Sequence, residues 1–349
     1  MAPVVISGDE RALARSGTRA TTPGTSRCAP PVSCLRRMRL CCRPALQCPE
    51  YVDSTVLLPS LAVELRIATC RPLPEPDPDE ALLLGALTRA GVSVRMAPWH
   101  DDGERWDEPI PTLIRSTWDY IHDVDGFLTW AGRAAEAAPF WNGVDVITGN
   151  VHKRYLLDLA AAGIPVASTV LVERHATGDL VAISAAQGWE DVVVKPAVGA
   201  SSFGTRRYQR EQVVDGQVHL EWLLERTDAL VQPYLRSVDA SGERALIWID
   251  GEFTHAVRKT PRFSDGDEHV SAAIAIAPDE LALGERVLAP MAADLLYARV
   301  DVARDDVGAP LVMEVELIEP SLYLLQHPPA LARLVGAVVR RLEASVTHP

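Results

Sequence analysis

The residue types best suited to chemistry lie near the C-terminus. Arg299-Val-Asp301 and Met313-Glu-Val-Glu316 each sit in an apolar stretch that reads as a β-strand. Period-two alternation puts Arg299 and Asp301 on one face, and Glu314 and Glu316 on one face. If the two faces coincide, three carboxylates meet beside an arginine. Such a group is costly to bury unless a cation joins it. Oxygen-only ligands suit Mg²⁺ or Mn²⁺, ions that commonly hold substrate phosphates as well. A solvated acidic strand face is the ordinary alternative, but Val300, Val302, Val312 and Val315 read as buried flanks.

Further upstream, Val192-Val-Val-Lys195-Pro196 aims a lysine out of a strand end. Alone, that is more often a surface lysine. It is followed by Gly199-Ala-Ser201-Ser202-Phe-Gly204-Thr205, whose small residues let backbone N–H groups approach phosphate oxygens. The glycine spacing resembles a P-loop, but Thr205 stands where that motif needs lysine, so the P-loop reading is rejected. Val231-Gln232-Pro233-Tyr234 ends another apolar strand and could offer main-chain groups to adenine. Arg115-Ser116-Thr117-Trp-Asp119-Tyr120 gathers a cation, hydroxyls, aromatics and a carboxylate suited to a small zwitterion, although Thr117 or Asp119 could simply cap a helix. His255 and Lys259 share one strand face and Arg258 takes the other. Lys259 is a candidate for binding phosphate or a substrate carboxylate, whereas a strand histidine such as His255 is more often packed than catalytic.

The elements that must carry these groups follow from the same sequence. Glu64–Thr69 reads as a strand, 79–90 as a helix stopped by Gly91, 92–97 and 112–115 as strands, and 123–137 as a helix leading to a linker over 140–149. A helix over 150–162, strand 166–172, helix 179–187 and strands 191–196 and 228–234 follow. Asp250-Gly251 predicts a tight hairpin between 244–249 and 253–259. A helix over 279–296, strands 298–303 and 310–317, and a last helix over 328–346 complete the chain. The expected modules are 62–149, 150–238 and 239–349. Residues 1–61 show no sustained period and are expected to be a disordered or non-native extension, or translation upstream of a start near Val63 or Leu65.

Bulk properties narrow the function. The chain has 349 residues and a formal net charge of -13, which argues against a nucleic-acid surface. No apolar run approaches the ~18 residues of a membrane span. Of the six cysteines, Cys28, Cys34, Cys41, Cys42 and Cys48 precede the motifs and only Cys70 follows them into the expected fold. No repeated Cys-x-x-Cys marks a metal site, and the expected compartment is a reducing cytoplasm.

The series Lys153, Lys195-Pro196, the 199–205 loop, Gln232-Pro-Tyr234, Arg299-Val-Asp301 and Glu314-Val-Glu316 resembles the ATP-grasp superfamily across roughly residues 64–349. Within it, Arg115 to Tyr120, His255-Ala-Val-Arg-Lys259 and Glu316-Leu-Ile-Glu-Pro-Ser-Leu322 resemble the cycloserine synthetase (O-ureidoserine cyclo-ligase) branch. Glutathione synthetase-like and RimK-like ligases are more distantly similar. The resemblance implies an α/β fold, α+β in its C-terminal part, with a Rossmann-like domain ahead of the ATP-grasp lobes. It implies that Lys153 and Lys195 hold ATP phosphates under the 199–205 loop, and that Gln232, Pro233 and Tyr234 flank the adenine hinge. Asp301, Glu314 and Glu316 would ligate Mg²⁺ or Mn²⁺. Arg299 would stabilise the transferring phosphoryl group, with Lys259 and Arg258 as further catalytic candidates. Glu319 and Ser321 would belong to a substrate loop. Many members carry Asn where this chain has Glu316, which adds negative charge here. The implied reaction makes an acyl phosphate that an amine captures, on a small amino-acid-like substrate; a small-molecule kinase or a silent nucleotide-binding module are the alternatives. A homodimer is the prior expectation for quaternary state.

Overall fold

The computed structural model describes residues 4–7, 64–260 and 269–347. The protein is built on three sheets. In the first, Ser93–Pro98, Glu64–Thr69, Thr112–Ile114 and Phe140–Trp141 lie side by side, all parallel. Helices Glu80–Arg89 and Val124–Ala137 provide the crossovers. In Val124–Ala137 the buried residues Phe127, Trp130, Ala131 and Ala134 recur at helical spacing, and the Asp123 carboxylate caps the first turn by accepting from Gly126 N.

The second sheet runs Val4–Ile6, Val170–Val172, Ala229–Pro233, Val192–Pro196, Arg206–Tyr208. The third is antiparallel throughout, with Glu252–Lys259 and Tyr297–Arg304 flanking Glu243–Ile249, and Pro310–Glu316 at the edge. Asp250 and Gly251 both take positive φ (45° and 99°), which suits the hairpin turn that joins Glu243–Ile249 to Glu252–Lys259. The C-terminal helix Pro328–Thr347 packs Leu334, Ala337 and Val338 into one core with Leu65, Leu87 and Ile247. Among the described residues, no helix is long and apolar enough to cross a membrane.

Several expected elements differ. Val4–Ile6 pairs in parallel with Val170–Val172, so these residues belong to the fold rather than to an excluded extension. Cys28, Cys34, Cys41, Cys42 and Cys48 lie outside the described residues, and Cys70 is buried with a free thiol. The 140–149 linker contains the strand Phe140–Trp141 and the helix Val144–Asn150. The helix expected over 150–162 is confined to Tyr155–Ala161, because Lys153 N turns away to donate to Ala197 O (2.8 Å). The strand expected over 166–172 shortens because its start is used elsewhere: Val312 N donates to Pro165 O and Ala167 N to Val312 O. The helix expected over 279–296 ends at Leu288, just before Pro290, which cannot continue an α-helix.

Two asparagines and a tyrosine join these parts. The Asn142 amide donates to Tyr297 O (2.9 Å) and Leu317 O (2.6 Å), and its oxygen accepts from Leu296 N (2.8 Å). Asn150 donates to Val315 O (2.8 Å) and accepts from Leu317 N (2.9 Å). Tyr155 Oη accepts from Val315 N (3.0 Å). Together Asn150 and Tyr155 complete the hydrogen bonds of the edge strand Pro310–Glu316, holding its register against Lys153. Asn142→Ala would strand three buried backbone groups and should cost roughly 3 kcal/mol of stability. A loss below about 1 kcal/mol in denaturant unfolding would show that the junction does not depend on this side chain.

Candidate active site

A cleft partly open to solvent is lined from the second and third sheets, and by Glu75, Trp118 and Tyr120 from segments that follow strands of the first. Strand register explains its acidic wall. Arg299 faces Glu316 across the antiparallel pair, and Asp301 faces Glu314. Beyond them the register shifts, so that Met313 is the extra residue and Val302 pairs with Val312. Arg299, Asp301, Glu314 and Glu316 therefore line the cleft, while Val300 and Val302 turn to the core by alternation and Val312 does so because of the extra residue.

Each carboxylate is met by a cation. The Arg299 guanidinium donates to Asp301 through Nε (2.9 Å) and Nη2 (3.0 Å), and Nη2 also bonds Glu316. Lys259 Nζ lies 2.5 Å from Asp301 Oδ2 and 2.7 Å from Glu243 Oε1. Lys153 Nζ donates to Gly199 O (2.7 Å) and lies 3.1 Å from Glu314 Oε1; Lys195 Nζ is 3.9 Å from Glu314 Oε2. The two phosphate-lysine candidates thus reach one carboxylate from different elements.

Burial and these partners set the proton affinities. Burial would raise Asp301, but Arg299 and Lys259 overcome it and hold the carboxyl below its ordinary range. Lys153 and Lys195 likewise outweigh burial and lower Glu314. Burial lowers Lys195, with Glu314 opposing it. Glu316 is pushed up to about 7 by burial against the pull of Arg299. Burial and then neighbouring Glu316 push Glu319 up to about 8. The cleft holds more carboxylate than its own cations neutralise, which is the condition a divalent cation relieves.

That donor set fits a hard cation. Asp301, Glu314 and Glu316 supply only oxygen, as Mg²⁺ or Mn²⁺ prefers. The acids are nonetheless spread along the wall and tied to lysine and arginine. Among the described residues no three metal-ligating side chains already surround one point. The expected convergence is therefore a shared wall and not a finished cage.

The 199–205 loop lies over this wall. Ser201, Ser202 and Gly204 take positive φ (49°, 58° and 65°), which lets the chain reverse tightly above Pro196. Gly199, Ser201 and Ser202 line the cleft; Gly204 does not. At the other end are Gln232, Pro233 and Tyr234. The Gln232 amide is already bonded to Thr169 Oγ1 (2.9 Å), Tyr234 Oη bonds Asp239, and Tyr234 N donates to Asp191 O. Their side chains are thus engaged within the protein.

Several candidates fall elsewhere. Arg258 is exposed on the face opposite Lys259 and does not line the cleft, so its catalytic assignment is not supported. His255 shares the Lys259 face but lies farther along the strand, stacked on His327 (4.7 Å) with Nδ1 2.9 Å from Thr254 Oγ1. Burial and His327 pull it down to about 4, and it is a packed histidine. Of the Arg115–Tyr120 stretch, Tyr120 lines the cleft, but Arg115, Ser116, Thr117 and Asp119 do not. Arg115 donates to Pro320 O (3.0 Å), Ser116 bonds Thr69 (2.8 Å), and Asp119 accepts from Trp99 Nε1 (2.6 Å). Glu319 and Ser321 do line it. Sequence reasoning missed Glu243, Asn150, Tyr155 and Trp118, which also line the cleft. Glu243 was legible in principle: it sits opposite Lys259 in the hairpin register, where opposite charges pair.

The raised carboxyls give a signed pH dependence. Glu316 and Glu319 bind protons more tightly folded than unfolded. Their ionisation in the folded state therefore costs stability as pH rises from the ordinary carboxylate range through about 7 to 8. Metal-free protein should lose melting temperature over that window, and Mg²⁺ should restore it, most at the alkaline end. A melting temperature flat in pH and indifferent to Mg²⁺ would contradict this electrostatic picture.

Comparison with known proteins agrees with the fold. The family model described as "D-cycloserine synthetase DcsG, N-terminal domain" matches residues 65–142. The cycloserine biosynthesis protein DcsG of Streptomyces lavendulae is 30% identical over 290 residues, 76% of this chain and 95% of that protein. A crystal structure of D-cycloserine synthetase DcsG superposes with a TM-score of 0.73 at 31% identity, covering 80% of this chain and 99% of that chain. The ATP-grasp ligase PsnB, solved with a minimal precursor, Mg and ADP, shares the fold at 15% identity, with a TM-score of 0.52 over 79% of this chain and 98% of that one. With such identity over nearly the full length of its curated relative, this chain belongs to the DcsG family of ATP-grasp ligases.

Proposed function

We propose that the protein uses ATP and Mg²⁺ to turn a substrate carboxylate into an acyl phosphate, which a nitrogen of the same molecule then captures to close a ring. O-ureidoserine is the proposed substrate, by analogy with the cycloserine-forming relatives. The observation that carries the reading is the cleft's charge pattern: Lys153 and Lys195 on one side, and Asp301, Glu314 and Glu316 with Arg299 on the other. A carboxylate is a poor acyl donor because oxide is a poor leaving group, whereas phosphate leaves readily. Making one from the other calls for positioning and charge neutralisation rather than a covalent side chain. Among the described residues the cleft offers those and no buried nucleophile poised beside a base.

In this reading Lys153 and Lys195 would exchange Glu314 for ATP phosphates, and Asp301, Glu314 and Glu316 would hold a Mg²⁺ that offsets phosphate charge. Arg299 orients Asp301 and would offset charge on the transferring phosphoryl group. Lys259, paired with Glu243 and Asp301, keeps the inner end of the wall neutral. Tyr120, Glu319 and Ser321 face the substrate end.

With ¹⁸O in the substrate carboxylate, the reaction should deliver one labelled oxygen into released phosphate for each ADP formed. ADP formation with a stable phosphorylated product and no label in phosphate would instead identify a kinase. Glu314→Gln should lower Mg²⁺-dependent ADP formation by about 10²-fold or more, with the fold intact by circular dichroism. Wild-type turnover in that variant would remove Glu314 from the metal set.

A further inference from the structure

A carboxylate able to take a proton during reaction must face the reacting atoms and must not already be committed to a cation. Asp301, Glu314, Glu316 and Glu243 are each paired with lysine or arginine. Glu319 lines the same cleft, is 9% exposed, and makes no ion pair among the described residues. Its surroundings set it apart: Tyr120, Lys153, Tyr297, Arg299 and Glu316 are charged or titratable groups that its carboxylate feels, none as a hydrogen-bond partner. The proton affinity of a carboxyl held there is raised, as a base for a weakly acidic N–H requires.

Glu319 is also held in place from outside the cleft. Trp118 Nε1 donates to Glu319 O (3.3 Å) and Arg115 Nη1 to Pro320 O (3.0 Å), both from buried side chains. Farther along the same segment, Leu325 N donates to Asp79 Oδ1 (3.2 Å). Segments that follow strands of the first sheet thus grip the loop after the acidic strand, while Arg115 and Asp79 do not line the cleft.

We propose that Glu319 accepts the proton of the nitrogen that captures the acyl phosphate, and that Arg115 and Trp118 are positioning residues acting through it. This inference rests on the ligase reading above. In the step, the N–C bond forms as the C–O bond to phosphate breaks. The bonding pair leaves with phosphate, and the nitrogen's proton passes to the Glu319 carboxylate. With O-ureidoserine the ring nitrogen keeps its carbamoyl group, and water must then displace that group as carbamate, which decays to carbon dioxide and ammonia, for a cycloserine-type ring to result. Phosphoryl transfer itself needs none of these three residues.

Hydroxylamine separates the two halves, because it captures an acyl phosphate without help from a protein base. With O-ureidoserine, ATP and Mg²⁺, Glu319→Gln should keep forming hydroxamate in the presence of hydroxylamine. Its ring product should fall by about 10²–10⁴-fold. Arg115→Ala and the milder Trp118→Phe should show the same split to a smaller degree. Adding Arg115→Ala to Glu319→Gln should cost nothing further if the two act as one unit. Undiminished ring formation in Glu319→Gln overturns the proposal. So does parallel loss of hydroxamate and ring, which would place Glu319 in binding or phosphorylation. A further drop in the double variant overturns the positioning role. Absence of hydroxamate from the wild type would instead defeat the acyl-phosphate reading, and this proposal with it.

Discussion

Taking a carboxylate out of water costs several kcal/mol unless a cation shares its dry surroundings, and this cleft carries a row of them on two adjacent strands, Asp301 buried and Glu314 and Glu316 half-buried. Asp301 is 1% exposed and survives as an anion because Arg299 and Lys259 both reach it. Glu314 depends on Lys153 and Lys195, which come from a different part of the chain. The ion pairs therefore tie distant elements together as well as neutralising one another. Under the proposed function they would also prepare an exchange. A polyphosphate offers the lysines a better partner than Glu314, and a divalent cation offers the carboxylates a better partner than lysine.

Such an exchange needs fixed geometry around it. Edge strand Pro310–Glu316 would otherwise be free to slip, and a slip of one residue would turn its acids into the core. Asn150 and Tyr155 take its outward hydrogen bonds, the Pro165–Ala167 segment takes those at Val312, and Asn142 anchors the strands flanking the site to the first sheet. The N-terminal sheet contributes chiefly by gripping. Arg115, Trp118 and Asp79 hold the segment after Glu316, so that this loop along the cleft is built from one part of the chain and positioned by another.

The sequence made the acidic wall legible because strand alternation is a strict rule: Arg299 with Asp301 and Glu314 with Glu316 share the cleft face as alternation requires. The Asp250-Gly251 hairpin followed just as directly from turn chemistry. Where a rule names a set but not a direction, reading failed. Arg115, Ser116, Thr117 and Asp119 have the chemistry of a zwitterion site, yet their polar atoms are used by Pro320, Thr69 and Trp99 or turned away from the cleft. Arg258 sits on the wrong face of a strand whose other face carries Lys259. Asn150 and Tyr155 carried no local signal, since their role exists only once a strand 160 residues away in sequence is laid beside them. Val4–Ile6 could not be assigned either, because three apolar residues have no period to read and become a strand only against Val170–Val172.

If lysines and metal compete for the same carboxylates, nucleotide and metal must help each other bind, each by the same factor. The direct test is the affinity for Mn²⁺, followed by its electron paramagnetic resonance, with and without ADP. Exchange predicts weak Mn²⁺ binding alone and binding tightened by about tenfold or more, some 1.4 kcal/mol, when ADP draws Lys153 and Lys195 away from Glu314. A Mn²⁺ affinity that ADP leaves unchanged would contradict the account.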